Sequence, residues 1–360
     1  MAFSAGAGRT CHGSARLLAK RLQGLTGCMG NVRAHNRFCA AFSCPSWHHK
    51  GSTAAAGAER HHSAGCRHSL SGRGEEPSTT AVLNDDEFAE LAASAIATGM
   101  PLDLRDGVRV ELHRRYKMAR ADVLQVVGGS FVGWGHSIFE VGGNPRGLLD
   151  LSGCKLQHLP QGHSAQQKLG AAVFVRAKGR LSMVDCEVAS EAGFGLWLVQ
   201  KASASLVGCR VGPCGRSSVC VFEDSRFEME GSGIYGAMPH GICARGNATV
   251  TVTRSEIDGA QTRAVYCYHS ATLELSETRI SNTRFGTAAA VQVDSLRPQD
   301  AASVSLVDCV FFGNAGGDLS VTGERVRAVV TGSFPVCRVA DNFANFSDRE
   351  RDPDYSSRVV

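Results

Sequence analysis

Aromatic residues are scarce in this chain: 16 Phe, 5 Tyr and 3 Trp among 360 residues. A core of that length must be filled largely by small and branched side chains. No run of 18 apolar residues occurs, which excludes a helix spanning a membrane. No P-loop, GxGxxG fingerprint, GxSxG elbow or HExxH pair is found, so the nucleotide-binding, hydrolase and zinc-protease classes lose their usual signals. No CxxC pair occurs among the 14 cysteines, so neither a zinc ribbon nor a thioredoxin-type redox site is indicated. Acids are missing from the start of the chain; the first is Glu59. The formal charge is only +4, and much of the excess lies ahead of Glu59, so no nucleic-acid partner is expected.

The acid-free segment carries Arg9, Arg16, Lys20, Arg21, Arg33, Arg37 and Lys50 among Ser, Ala and Gly. That is the composition of an organellar transit peptide. From Ser14 to Leu25, an amphipathic helix would put Leu17, Leu18, Leu22 and Leu25 on one side. Arg16, Lys20 and Arg21 would fall on another, which favours a mitochondrial address over a plastid one. The alternative is a disordered basic tail on a cytoplasmic protein. Residues 1–82 are therefore read as targeting segment and disordered linker. A helix is predicted within 83–100, where acids at Asp85, Asp86 and Glu87 precede an apolar stripe of Phe88, Leu91, Ala92, Ala95 and Ile96. It stands where a solenoid would need a cap over its open end.

Forty-one glycines point to many tight turns, and self-similarity shows what the turns punctuate. Leu181-Ser-Met-Val-Asp-Cys-Glu-Val188 recurs as Ala204–Val211, Phe227–Ile234, Val250–Ile257 and Leu273–Ile280, one constant period apart. Outlying copies begin at Leu149 and Val304. A second strand precedes each copy: Val173–Val175, Leu196–Leu198, Val219–Val221, Ile242–Ala244 and Val265–Cys267. Side chains alternate along a strand, so each inward position builds one interior column through the stack. One column is Val173/Leu196/Val219/Ile242/Val265; another is Met183/Leu206/Met229/Val252/Leu275. A column of small groups, Cys154, Cys186, Cys209, Ser232, Ser255, Thr278 and Cys309, fits a sharp bend. Cysteine here reads as a small hydrophobe packed in a ladder.

These residues resemble the right-handed parallel β-helix repeat family. It includes pectin-degrading enzymes, and carbohydrate-binding and sugar-hydrolase modules also found in F-box and signalling-adaptor proteins. The resemblance covers roughly residues 101–340 and implies an all-β, right-handed parallel β-helix solenoid with about 23 residues per coil. Residues 341–360 are read as a polar C-terminal tail. The pectinase-type Asp clusters and Gly-His-Gly element of that family are absent. Such repeats occur on enzymes and non-enzymes alike, so the fold leaves function open.

Two insertions break the period. The step from Leu149 to Leu181 is longer than one coil, with the excess in Gln157–Gly170, which holds His158, His163 and Lys168. The step from Leu273 to Val304 is longer too, with the excess in Ser281–Ser303, which holds Asn282, Arg284, Asp294 and Arg297. Both are either tolerated loop growth or functional loops. The outward position of the first strand carries Phe174, Trp197, Cys220, Cys243 and Tyr266 on successive coils. The adjoining outward position gives Arg176, Val199, Phe222, Arg245 and Tyr268. An apolar-aromatic stripe where polar residues are expected marks either a partner surface or a face covered by another segment. His240, Arg263 and His269 flank it. The expected function is thus a non-catalytic scaffold that binds a protein or glycan partner along this stripe. The alternative is a polysaccharide lyase or glycoside hydrolase using Glu223, Asp224 or Asp258, the only carboxylates open to nomination. No cofactor is implied. Cys220 and Cys243 lie on adjacent rungs with His240 nearby, but no fourth ligand for zinc is evident.

Overall fold

The computed structural model describes residues 81–333, apart from 106, 119–120, 143–146, 162–169, 192 and 296, together with the strand Phe346–Asp348. The transit-like segment, and His163 and Lys168, lie outside the described residues. Every strand pairing is parallel, and the strands form three ladders of nine, eleven and ten. One coil runs Val219–Phe222 in the first sheet, Arg226–Glu230 in the second and Gly233–Tyr235 in the third. The next coil repeats this order, with Val219 opposite Ile242 and Phe227 opposite Val250.

The predicted interior columns are the observed ones. Val173, Leu196, Val219, Ile242 and Val265 are consecutive register partners, each fully buried. Burial of each such side chain stabilises by about 1.5–3 kcal/mol relative to exposure. Since each coil touches only its neighbours, this contribution accumulates rung by rung.

The bend between second and third sheets has a recurrent design. Asp185, Gly208, Gly231, Arg254, Glu277, Asp308 and Gly332 all take positive φ, between 46° and 64°. The left-handed residue turns the chain out of the ladder, and the next residue is the small member of the Cys/Ser/Thr column. That side chain reaches along the stack. Ser232 Oγ accepts the N–H of Cys209 at 2.9 Å, Ser255 Oγ accepts that of Ser232 at 3.2 Å, and Ser333 Oγ accepts that of Cys309 at 2.7 Å. The column is a hydrogen-bond ladder as well as a space-saving one, because buried N–H groups at a bend need acceptors that the sheet no longer supplies.

The helix, α1, spans Asp85–Thr98. Asn84 caps it: its side chain accepts from Asp86 and Glu87 N–H, while Glu87 reaches back to Asn84 N–H. Gly99, left-handed at φ 65°, ends it. Phe88 is fully buried and meets Tyr116, Phe131 and Phe139 edge to face at 5.1, 5.5 and 6.1 Å. This aromatic plug covers the apolar N-terminal end of the coil stack.

The structure places two segments differently from the sequence reading. Val82–Leu83 already pairs with Arg109–Val110, so the ladder starts ahead of the helix. Phe346–Asp348 pairs with Ala328–Val330, so it continues past residue 340. His158, assigned by the sequence to an insertion loop, lies within the strand Lys155–Leu159 and faces inward, 3% exposed. Its Nδ1 lies 2.8 Å from Ser190 Oγ, on the next rung. Burial, with a smaller contribution from His136, pushes its pKa down to about 4.

Candidate binding face

The first sheet positions the stripe. Its strands run from Tyr116–Lys117 to Leu319–Thr322, and the register sets Glu140, Phe174, Trp197, Cys220, Cys243, Tyr266 and Gln292 in one outward row. The parallel row is Phe222, Arg245, Tyr268 and Asp294. The aromatic stripe is not continuous. It divides into two groups separated by Cys220 and Cys243, which are outward yet buried at 1% and 8% exposure.

The first group is Phe174, Phe194 and Trp197, with ring centroids 5.0 and 5.4 Å from Trp197. All three are half-buried, and the Trp197 indole N–H is buried without a hydrogen-bond partner. Next to this group, Glu140 is clamped by Arg115 and by Arg176, the latter at 2.7 Å. These two guanidiniums hold the carboxyl below its usual range although burial alone would raise it.

The second group is richer in polar chemistry. Tyr266 and Tyr268 stack with centroids 4.8 Å apart and planes 22° from parallel. Arg263 sits over Tyr266 at 4.5 Å and Arg245 over Tyr268 at 5.7 Å. His240 packs on Tyr266 at 5.4 Å, and its Nδ1 lies 2.9 Å from Thr262 Oγ1. Burial, then Arg263, lower its pKa to about 4, so this imidazole is neutral near pH 7. His269 pairs with Asp300 at 3.1 Å. Arg263 Nε donates to Gln292 at 2.5 Å, and Gln292 donates to Asp294 Oδ2 at 2.9 Å. The other oxygen of Asp294 is buried, in a residue only 6% exposed, and the carboxylate faces the Tyr266 phenol. Burial, reinforced by this carboxylate, pushes the Tyr266 phenol up to about 12.

Phe222, Arg245, Tyr266, Tyr268, His240, Arg263 and His269 thus lie on one face, while Phe174 and Trp197 form a separate group beyond the cysteines. The nominated carboxylates do not converge. Glu223 accepts Gln200 N–H at 2.8 Å in the turn after the first sheet. Asp224 is held by Asn247 at 2.9 Å and Lys201 at 3.8 Å. Asp258 ends a third-sheet strand, at the other end of the first-sheet strands, and accepts from Ser281 and Asn282. Sequence reasoning missed the roles of Gln292, Asp294 and Asp300, all inside the second insertion. Val291-Gln-Val-Asp294 alternates as Val265-Tyr-Cys-Tyr268 does, and that pattern was the available signal.

Residues 170–333 match the family model described as the right handed beta helix region. This part of the chain is a right-handed β-helix. Solved structures similar to this β-helix protein include the Agl-KA catalytic domain, at 11% identity and TM-score 0.42, covering 72% of this chain and 58% of that one. A GH87 alpha-1,3-glucanase catalytic unit from Streptomyces thermodiastaticus is 14% identical at TM-score 0.39, covering 77% and 68%. The A-module of the Azotobacter vinelandii mannuronan C-5 epimerase AlgE6 is 12% identical at TM-score 0.33, covering 76% and 97%. No curated protein sequence matches the chain. Among the described residues, no helix is long and apolar enough to cross a membrane.

Proposed function

We propose that this β-helix is a non-catalytic binding protein whose first-sheet face takes a glycan. The observation that carries the reading is the stacked Tyr266–Tyr268 pair flanked by Arg263 and Arg245. A sugar offers apolar C–H faces to an aromatic platform and hydroxyl oxygens to guanidinium donors at its edge. Arg245, Arg263 and His269 supply further polar contacts around the same platform. A protein partner would be better served by the apolar group at Phe174 and Trp197. That group is already packed on itself, with the Trp197 N–H turned away from solvent. Catalysis is less well supported, because Glu223, Asp224 and Asp258 are each hydrogen-bonded and lie at opposite ends of the strands.

The test is binding to an immobilised polysaccharide and oligosaccharide panel by wild type, Tyr268→Ala and Arg245→Ala. Each variant should bind at least about tenfold more weakly, equivalent to some 1.4 kcal/mol, with an unchanged far-UV spectrum. Undiminished binding by both folded variants would remove this face from the reading. Turnover of any panel member by the wild type would move the protein to the lyase and hydrolase class. The basic, acid-free N-terminus supports a mitochondrial address, and N-terminal sequencing of the endogenous protein tests it.

A further inference from the structure

The turn from the first sheet to the second gathers positive charge on two adjacent coils. In the three coils that follow, one left-handed residue makes this turn: Glu223, Gly246 and His269, at φ 62°, 79° and 66°. Ala177-Lys178 and Gln200-Lys201 take two in succession, at φ 49° and 67° and at φ 58° and 65°. In both coils the second is a lysine, a residue for which the left-handed region is unfavourable. The two turns stack, with Lys178 N–H donating to the Gln200 carbonyl at 3.0 Å. The adjoining outward row of the second sheet runs Arg180, Ser203, Arg226.

Two adjoining cavities open on these residues. The smaller, of about 240 Å³, has Lys178, Arg180, Lys201, Ser203, Asp224 and Arg226 in its wall. The larger, of about 540 Å³, shares Arg180, Ser203 and Arg226 and continues over Ser182, Ser205 and Glu228. Together they hold four cations against two carboxylates, and both carboxylates are engaged. Asp224 accepts from Asn247 at 2.9 Å and lies 3.8 Å from Lys201, while Glu228 pairs with Arg226 at 2.6 Å. Among the described residues, Lys178 and Arg180 have no ion-pair partner. Like charges stacked on neighbouring rungs repel, and a bound anion relieves that repulsion. Arg180 and Arg226 stand two rungs apart, about 9.6 Å, with only Ser203 between them. That gap admits a tetrahedral oxyanion, and guanidinium forks match its oxygens from both sides. Beyond it, the Ser182 and Ser205 hydroxyls both donate and accept, and Glu228 accepts, which favours a hydroxylated body over an apolar one.

We propose that this corner binds a sugar carrying a phosphate or sulfate ester. The ester oxygens sit over Ser203 between Arg180 and Arg226, with Lys178 and Lys201 at the rim of the smaller cavity. The sugar hydroxyls lie along Ser182, Ser205 and Glu228 in the larger one. The site belongs to the second sheet and the turn before it, and the tyrosine platform belongs to the first sheet on later coils, so neither depends on the other.

The experiment is isothermal titration calorimetry of the full chain with hexose 6-phosphates, hexose 6-sulfates, the parent hexoses, inorganic phosphate and sulfate. At least one ester should bind about tenfold more tightly than both its parent sugar and its free anion. Preference for the phosphate esters identifies a dianion as the ligand, and preference for the sulfate esters a monoanion. Arg180→Gln removes an unpaired cation and Ser203→Leu fills the gap. Each should weaken the ester about tenfold while thermal unfolding stays that of the wild type. Esters that bind no better than inorganic phosphate or sulfate overturn the proposal, since that is counterion attraction to surface charge. So does undiminished affinity in folded Arg180→Gln, or the absence of binding by every ester.

Discussion

Replacing Ser232 by alanine isolates one rung of the corner ladder. Ser232 is 6% exposed; its Oγ accepts Cys209 N–H at 2.9 Å and donates to the Glu230 carbonyl at 2.8 Å. In Ser232→Ala the Glu230 carbonyl keeps a partner, since Gly208 N–H donates to it at 3.1 Å. The Cys209 N–H keeps none. One buried donor left unsatisfied costs about 1–3 kcal/mol. For an ordered region of this size, about 2 kcal/mol corresponds to a fall in Tm of roughly 4–8 °C. Ser232→Cys retains an acceptor, as Cys209 Sγ does for Cys186 N–H at 3.5 Å, and should recover most of the loss. Thermal unfolding measures the total. Amide hydrogen exchange localises it, because the Cys209 N–H should exchange faster in the alanine variant while the buried amides of distant coils do not. An alanine variant as stable as wild type would refute the ladder as an energetic element. A cysteine variant as unstable as the alanine one would show that shape, not hydrogen bonding, governs the column.

Further outcomes follow from other parts of the molecule. His158 is buried neutral with its pKa lowered from 6.5 to about 4. The unfolded chain therefore binds the extra proton, and stability falls as pH drops from about 6.5 towards 4, by up to roughly 3 kcal/mol. His158→Gln should flatten that acid limb in denaturant titrations taken between those pH values; an unchanged slope would assign it to other groups. Phe88→Ala removes the plug at the N-terminal end and should cost about 3–5 kcal/mol, with exchange protection lost first in the coils around Phe131 and Phe139. A uniform loss along the stack would contradict a local cap. Gly231→Ala places a Cβ in open space at φ 55°, so it should cost only the left-handed backbone penalty of about 1–2 kcal/mol in unfolding titrations. A larger cost would mean that the bend has no room.

The solenoid was legible because its determinants repeat. An inward apolar residue recurring at a constant period has one physical explanation, and register partners such as Met183, Leu206 and Met229 bear it out. The bend was half legible. Its small residues were visible as a column, but their use as acceptors depends on the left-handed residue before each, and Asp, Glu, Arg and Gly share that position without a common chemistry. His158 was misplaced because repeat counting put it in excess length. Two-residue alternation from Leu156 would have turned it inward, as Val188 turns Ser190 inward. Likewise, alignment to the period stopped at Tyr268, and Asp294 is that residue's register partner one lengthened coil later.

The lengthened coil explains why the polar chemistry gathers where it does. A regular β-helix rung supplies one side chain per column, so neighbours on a face are similar and their charges, if alike, repel. The 281–303 insertion frees the Val291–Asp294 rung from that uniformity. It sets a carboxylate and an amide against Tyr266, Tyr268 and Arg263 of the rung before. It also brings Asp300 back onto His269, so the same excess length both places Asp294 beside Tyr268 and fixes the neighbouring imidazole. Shortening this connection to one period while keeping the Val291–Asp294 strand should leave the stack paired but release His269. If glycan affinity survived that change, the binding energy would reside in the tyrosine platform and its flanking arginines, and the loop's contribution would be limited to the register of the strand beside them.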